Sequence, residues 1–128
     1  MNGQTKKYDL EDRLIEFAST AIDIVETLPE TKSAGHIGNQ LLRSGTSAAP
    51  NYGEAQGAES RRDFLHKMKI CLKELRETRI WLLLIARRSL ANCDTLQAAL
   101  AESEELIRIF KKSVQTAEAN IPEESDRR

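Results

Sequence analysis

Residues 42–81 read LRSGTSAAPNYGEAQGAESRRDFLHKMKICLKELRETRIW, and the two halves of this stretch decide the fold. In the second half and just beyond it, Phe64, Met68, Cys71, Leu75, Thr78, Leu82 and Ile85 recur at alternating spacings of four and three. That repeat lays one stripe along one face of an α-helix, as in a bundle seam. Arg62, His66, Lys69, Lys73 and Arg76 follow the same rhythm on the opposite face. The first half is built differently. Gly45, Ala49, Gly53 and Gly57 are spaced by four, and small residues in a row let a neighbouring backbone approach closely. Pro50 removes one amide donor, and its ring meets the carbonyl of Thr46. The spacing predicts one helix kinked near Pro50, or two short helices with a turn there.

Working outward, helix one is expected to start at Asp9, whose carboxylate can cap free backbone amides, and to end before Pro29. Its buried face is Leu10, Leu14, Phe17, Ala21, Ile24 and Leu28. Helix two starts near Ser33 and presents Ile37, Leu41, Gly45, Ala48, Tyr52 and Ala55 on one side. Helix four follows a loop at Ala91 to Cys93, with Asp94 as its cap, and stops at Pro122. It is expected to bury Leu96, Leu100, Ile107, Phe110, Val114, Ala117 and Ile121. Short links between four amphipathic helices predict an all-α, up-down-up-down antiparallel four-helix bundle, with helix two kinked near Pro50. The bundle should span residues 1–121, and the tail 122–128 is expected to be disordered.

The chain has 128 residues, enough for one core without metal or disulfide support. Aromatic residues make up only 5%, which argues against a sheet. A net charge of −1 excludes strong global attraction to nucleic acid or anionic membrane, so such binding would need a local patch. The N-terminus MNGQTKKYDLEDR has no apolar signal region, and a cytoplasmic location is expected. The longest apolar run, Ile80 to Ala86, is seven residues, far short of a membrane span.

Chemistry finds little footing. A di-metal centre in a helical bundle needs inward carboxylates and two Glu-x-x-His motifs. The nearest match, Asp63-x-x-His66, occurs once and lies away from the apolar seam, and His36 stands alone. Cys71 falls on the core stripe, where a cysteine is a small hydrophobe, and Cys93 has no histidine close in sequence. No catalytic residue, metal site or cofactor is expected, and the chain reads as a non-enzyme.

Binding surfaces are better represented. The stripe Arg62, His66, Lys69, Lys73 and Arg76 could track a phosphate backbone. Alternatively it is a solvated face, stabilised by pairs such as Asp63–Lys67 and Lys73–Glu77 and weakened by Glu59 and Glu74 beside it. Arg43, Ser47, Asn51 and Glu54 form a polar row on helix two, fit for a hydrogen-bonded subunit contact or for plain solvent. Ile80, Trp81, Leu83 and Leu84 make helix three apolar around its whole circumference, wider than the stripe a bundle helix needs. A contiguous patch of this kind marks an interface, here self-association, unless the chain's own N-terminal arm with Tyr8 or helix two covers it.

The segment LLRSGTSAAPNYGEAQGAESRRDFLHKMKICLKELRETRIWL resembles the signature of the 23S ribosomal RNA intervening-sequence proteins. The matching positions are Leu42-Arg43, Ser47, Asn51, Glu54, Phe64, Glu74-Leu75 and Glu77-Thr78, and the resemblance covers residues 8 to 118. Many relatives carry a proline two residues after the serine, where this chain has Ala49 and then Pro50. The resemblance implies a four-helix subunit in a homopentameric assembly with no established enzymatic activity. It also implies a link to RNA or to an RNA-associated protein. A related group, the accessory variability proteins of diversity-generating retroelements, binds nucleic acid and a reverse transcriptase through a basic surface. The slightly acidic balance of this chain speaks against carrying that binding over directly.

Overall fold

A computed structural model describes residues 9–121; the expected tail at 122–128 and the arm with Tyr8 lie outside them. Within these residues the chain is all-helical: α1 (Leu10–Glu26), α2 (Lys32–Gly45), α3 (Ala48–Gln56), α4 (Arg61–Arg87) and α5 (Asp94–Ala119). The segments α2 and α3 together make one arm, so five helices build a four-armed bundle.

Local chemistry sets most of the boundaries. The Asp9 carboxylate accepts the amide of Asp12 at 2.9 Å, the Thr31 hydroxyl that of Ala34 at 3.2 Å, and the Ser60 hydroxyl that of Asp63 at 3.0 Å. Each satisfies one of the amides that a first helical turn leaves without a partner. At α5 the cap position is Cys93, with no side-chain cap bond, and Asp94 is the first helical residue instead. There its charge meets the positive end of the helix dipole, which is a different service from capping. The end of α4 is closed by a left-handed residue, Ser89 at φ 55°. The Leu90 amide reaches the Ile85 carbonyl at 3.0 Å and the Ser89 amide that of Ala86 at 3.1 Å, the paired bonds of a Schellman turn.

The interruption between α2 and α3 falls at Thr46–Ser47, not at Pro50. Pro50 is the third residue of α3, inside the first turn, where a missing N–H costs no intrahelical bond. Breaking the chain four residues earlier also removes the clash its ring would make with the Thr46 carbonyl. The Asn51 side chain bridges the break, donating to the Ser47 carbonyl at 2.9 Å and reaching the Ser47 hydroxyl at 3.1 Å.

Specific pairings fix the packing directions. Arg61 donates to the Asn120 carbonyl and Arg79 to Glu104, so α4 and α5 run antiparallel. Ser44 meets Thr78 while Glu54 meets Lys67, which sets α2 and α3 antiparallel to α4. Gly38 faces Val25 and Leu28, and Gly45 faces Ala21, so α1 opposes α2 in the same way. Arg13 closes the ring of arms with a bidentate bond to Glu102 on α5, at 2.8 and 3.0 Å. That bond raises the already high pKa of the arginine further.

The core follows the expected stripes with some shifts. Leu14, Phe17, Ala21, Ile24, Ile37, Leu41, Ala48 and Ala55 are buried, as are Met68, Cys71, Leu75, Thr78, Leu82 and Ile85 on α4. On α5 the buried line is Leu96, Ala99, Ser103, Leu106, Phe110 and Val114. Leu100, Ile107, Ala117 and Ile121, expected inside, are only half-buried. Ala99 and Ser103 hold the central line with small side chains, leaving Leu100 and Ile107 on its flank.

Candidate functional site

The longest helix, α4, carries the basic stripe and the apolar belt, and two sectors of its circumference lie outside the buried seam. The sector toward α2 is polar and closed. Arg43 binds Glu74 at 3.2 Å and also pairs with Glu77, while Trp81 donates its indole N–H to Glu77 at 3.1 Å. The His36 ring stands edge-on to Trp81, with centroids 6.1 Å apart. Beneath them the Thr78 and Ser44 hydroxyls lie 2.8 Å apart, and Thr78 is also 2.8 Å from the Glu74 carbonyl. With Thr78 donating to that carbonyl, Ser44 donates to Thr78, and two fully buried hydroxyls satisfy each other. Glu74 is only 8% exposed. It therefore faces α2 and does not lie beside the basic stripe, contrary to the sequence expectation.

The polar row from helix two is thus engaged within one chain. Arg43 is held by Glu74 and Glu77, Asn51 by Ser47, and Glu54 by Lys67 at 3.1 Å. The expected helix pairs Asp63–Lys67 and Lys73–Glu77 give way to these partners, because α3 and α2 approach α4 from that side. The bond to Glu54 raises the pKa of Lys67.

The outer sector of α4 changes character halfway along. Its first half exposes Arg62, His66, Lys69, Lys73 and Arg76, as the spacing predicts. The structure adds what the sequence could not place: Lys111 of α5 lines the same shallow groove of about 350 Å³ as Lys69, Lys73 and Arg76. One carboxylate intrudes, Glu118, 3.1 Å from Lys69. The second half of the sector is apolar, with Ile80 54% and Leu83 36% exposed. Trp81 and Leu84, expected to share that exposure, are half-buried against the core on the α2 side. The apolar belt is therefore not uniform, and α2 covers part of it.

Reactive side chains do not converge. Among the described residues, no group of three or more His, Cys, Asp or Glu side chains could hold a metal ion. The Cys71 thiol is buried, 3.6 Å from the Ala48 carbonyl, and burial pushes its pKa up to about 12. It stays a neutral thiol at any ordinary pH. Cys93 is exposed in the turn before α5. Among the described residues, no helix is long and apolar enough to cross a membrane.

With a four-armed bundle and the Leu42–Thr78 residues in place on α2 to α4, comparison with known proteins is direct. Residues 6–112 match the family of 23S rRNA-intervening sequence proteins. The chain belongs to this family. A crystal structure of a relative from Bacteroides thetaiotaomicron VPI-5482, a protein of unknown function from the S23 ribosomal protein family, is similar. It is 32% identical with a TM-score of 0.74, over 81% of this chain and 96% of that one. No match is found among curated proteins. The family signature residues now have physical roles: Arg43, Glu74, Glu77 and Thr78 tie α2 to α4, and Ser47 with Asn51 joins α2 to α3.

Proposed function

We propose that this chain acts without catalysis, as a self-assembling helical subunit whose assembled form is an interaction scaffold linked to RNA. The observation that carries the reading is the exposed apolar half of the α4 outer sector, Ile80 and Leu83, on a helix whose other surfaces are satisfied. Fully burying an exposed Ile or Leu is worth about 1.5–3 kcal/mol, and a second subunit would recover the share that Ile80, 54% exposed, and Leu83, 36% exposed, still leave in water. The family resemblance implies a homopentamer as the assembled form, and the N-terminal sequence without an apolar signal region favours the cytoplasm. Light scattering on Ile80→Ser/Leu83→Ser tests the contact: smaller particles with unchanged helicity are expected, and particles of wild-type mass would overturn it.

A second reading rests on the cationic groove. Lys69, Lys73, Arg76 and Lys111 offer a phosphate backbone several charges on two adjacent helices, with Arg62 and His66 extending the line. Glu118 and the absence of an aromatic residue in this groove make such binding modest and tolerant of sequence. Repetition in an assembly would multiply it by avidity. The name of the family, 23S rRNA-intervening sequence protein, makes structured RNA the natural first probe. Filter binding at two salt concentrations should show Lys69→Glu/Lys73→Glu losing affinity and the salt dependence flattening. Equal affinity in both proteins would reduce the groove to a solvated face.

A further inference from the structure

A groove of about 630 Å³ lies between the start of α4 and the last turns of α5. Its origin is a mismatch between arms. Ala98, Glu102, Ile109, Ser113, Thr116 and Asn120 recur at spacings of three, four and seven, so they share one flank of α5. The first part of that flank is covered by α1, where Phe17 and Thr20 meet Ala98 and Arg13 binds Glu102. But α1 runs antiparallel to α5 and begins at Leu10, one turn before Arg13. From Ile109 to Asn120, about 16 Å of helical rise, the flank opens into a groove lined by α4 and α5 alone. Lys111 and Gln115, which line the cationic groove, stand on the other flank.

The lining has two kinds of chemistry. Phe64, Ile109 and Ala117 make an apolar floor, and Arg61 and Lys112 supply positive charge. Arg61 donates one N–H to the Asn120 carbonyl at 3.0 Å, which holds the guanidinium across the end of the groove. Most other arginines of the bundle are spent on carboxylates, as Arg13, Arg43, Arg79 and Arg108 are. Among the described residues, neither Arg61 nor Lys112 forms an ion pair, and no acidic side chain lines this groove. The volume falls within the roughly 300–1,000 Å³ of small-molecule sites, which are likewise mostly apolar with a few placed polar groups.

We infer that this groove is a binding site for a small amphipathic carboxylate, an acyl chain with one anionic end. The carboxylate pairs with the Arg61 guanidinium, whose planar fork matches it. The chain lies over Phe64, Ala117 and Ile109, beside the aliphatic stem of Lys112. Complementarity selects this class. A purely apolar ligand leaves both cations without a counter-charge, a polyanion leaves the apolar floor in water, and a cationic amphiphile is repelled.

The test titrates octanoate, octanol and octylamine into the full-length protein by isothermal calorimetry. Octanoate should bind, octanol at least tenfold more weakly, and octylamine not at all. Arg61→Gln should weaken octanoate about tenfold, the least that a charge-assisted pair contributes, and leave octanol unchanged. Ser113→Trp fills the groove and should abolish binding of both, while Lys73→Glu, on the far side of α5, should change neither. Should Ser113→Trp lose helicity, Thr116→Trp, at an exposed position of the same groove, answers the question. Equal affinity for octanoate and octanol, or octanoate binding that survives the tryptophan, overturns the inference. So does a wild-type protein that binds no octanoate. Binding gained only in Glu123→Gln/Glu124→Gln would assign the groove to the chain's own carboxylates and overturn it as well.

Discussion

A Cβ added at Gly45 would lie 2.8 Å from the Ala21 Cβ, closer than real side chains come. Gly45→Ala should therefore push α1 and α2 apart and destabilise the protein by about 1–3 kcal/mol in urea unfolding. Gly35, on the same helix, has open space around its missing side chain, and Gly35→Ala should stabilise by about 0.5–1 kcal/mol. Ser89 gives the converse case, since its positive φ suits glycine: Ser89→Gly should raise the unfolding midpoint. Cys71 makes a prediction in pH. Its ordinary value is 9.0 and burial lifts it to about 12, so the native state keeps a proton that the unfolded chain releases. Its contribution to stability is complete below pH 9 and declines as pH rises toward 12. At neutral pH only Cys93 should react with iodoacetamide until the chain is unfolded. At this scale the sequence was only partly legible. A glycine row announces a close approach without naming the neighbour. The Ser44–Thr78 pair was half legible: Thr78 falls on the buried seam by spacing, but Ser44 reads like a hydroxyl that faces water.

At the scale of elements, α4 was the most legible because its seam holds its repeat from Phe64 to Ile85 along a helix of 27 residues. The seam read from spacing matches the buried set from Met68 to Ile85, with Phe64 half-buried at the start. Leu75→Asp would place an unpaired charge in that seam, costing several kcal/mol against a total stability of about 5–15 kcal/mol. A lost or strongly lowered thermal transition by circular dichroism is expected, and an unchanged melt would contradict the helix register. α5 was harder to read because Ala99 and Ser103 occupy its central line and mute the pattern. The break at Thr46–Ser47 was displaced from the proline that causes it, since a proline is best tolerated inside the first turn of a new helix. The carboxylates Glu74 and Glu77 were placed beside the basic stripe for a simple reason. Periodicity gives the angle of a side chain about its helix, but not which neighbouring arm fills that angle. Glu74 and Glu77 thus looked solvent-facing until Arg43 on α2 was seen beside them.

For the whole molecule, the near-zero net charge conceals a division. The α1 side is acidic, the outer face of α4 is basic and then apolar, and exposed apolar residues stand on both of these opposite sides. Composition alone could bound the fold class, but it averages such a division away. These exposed apolar residues are what the proposed assembly would cover. The most direct test is the mass of the unmodified protein in solution. Sedimentation equilibrium at micromolar concentration and low salt should return a particle several times the 14.4 kDa chain, shifting toward smaller species as salt is raised. A single 14.4 kDa species across that concentration range would contradict it.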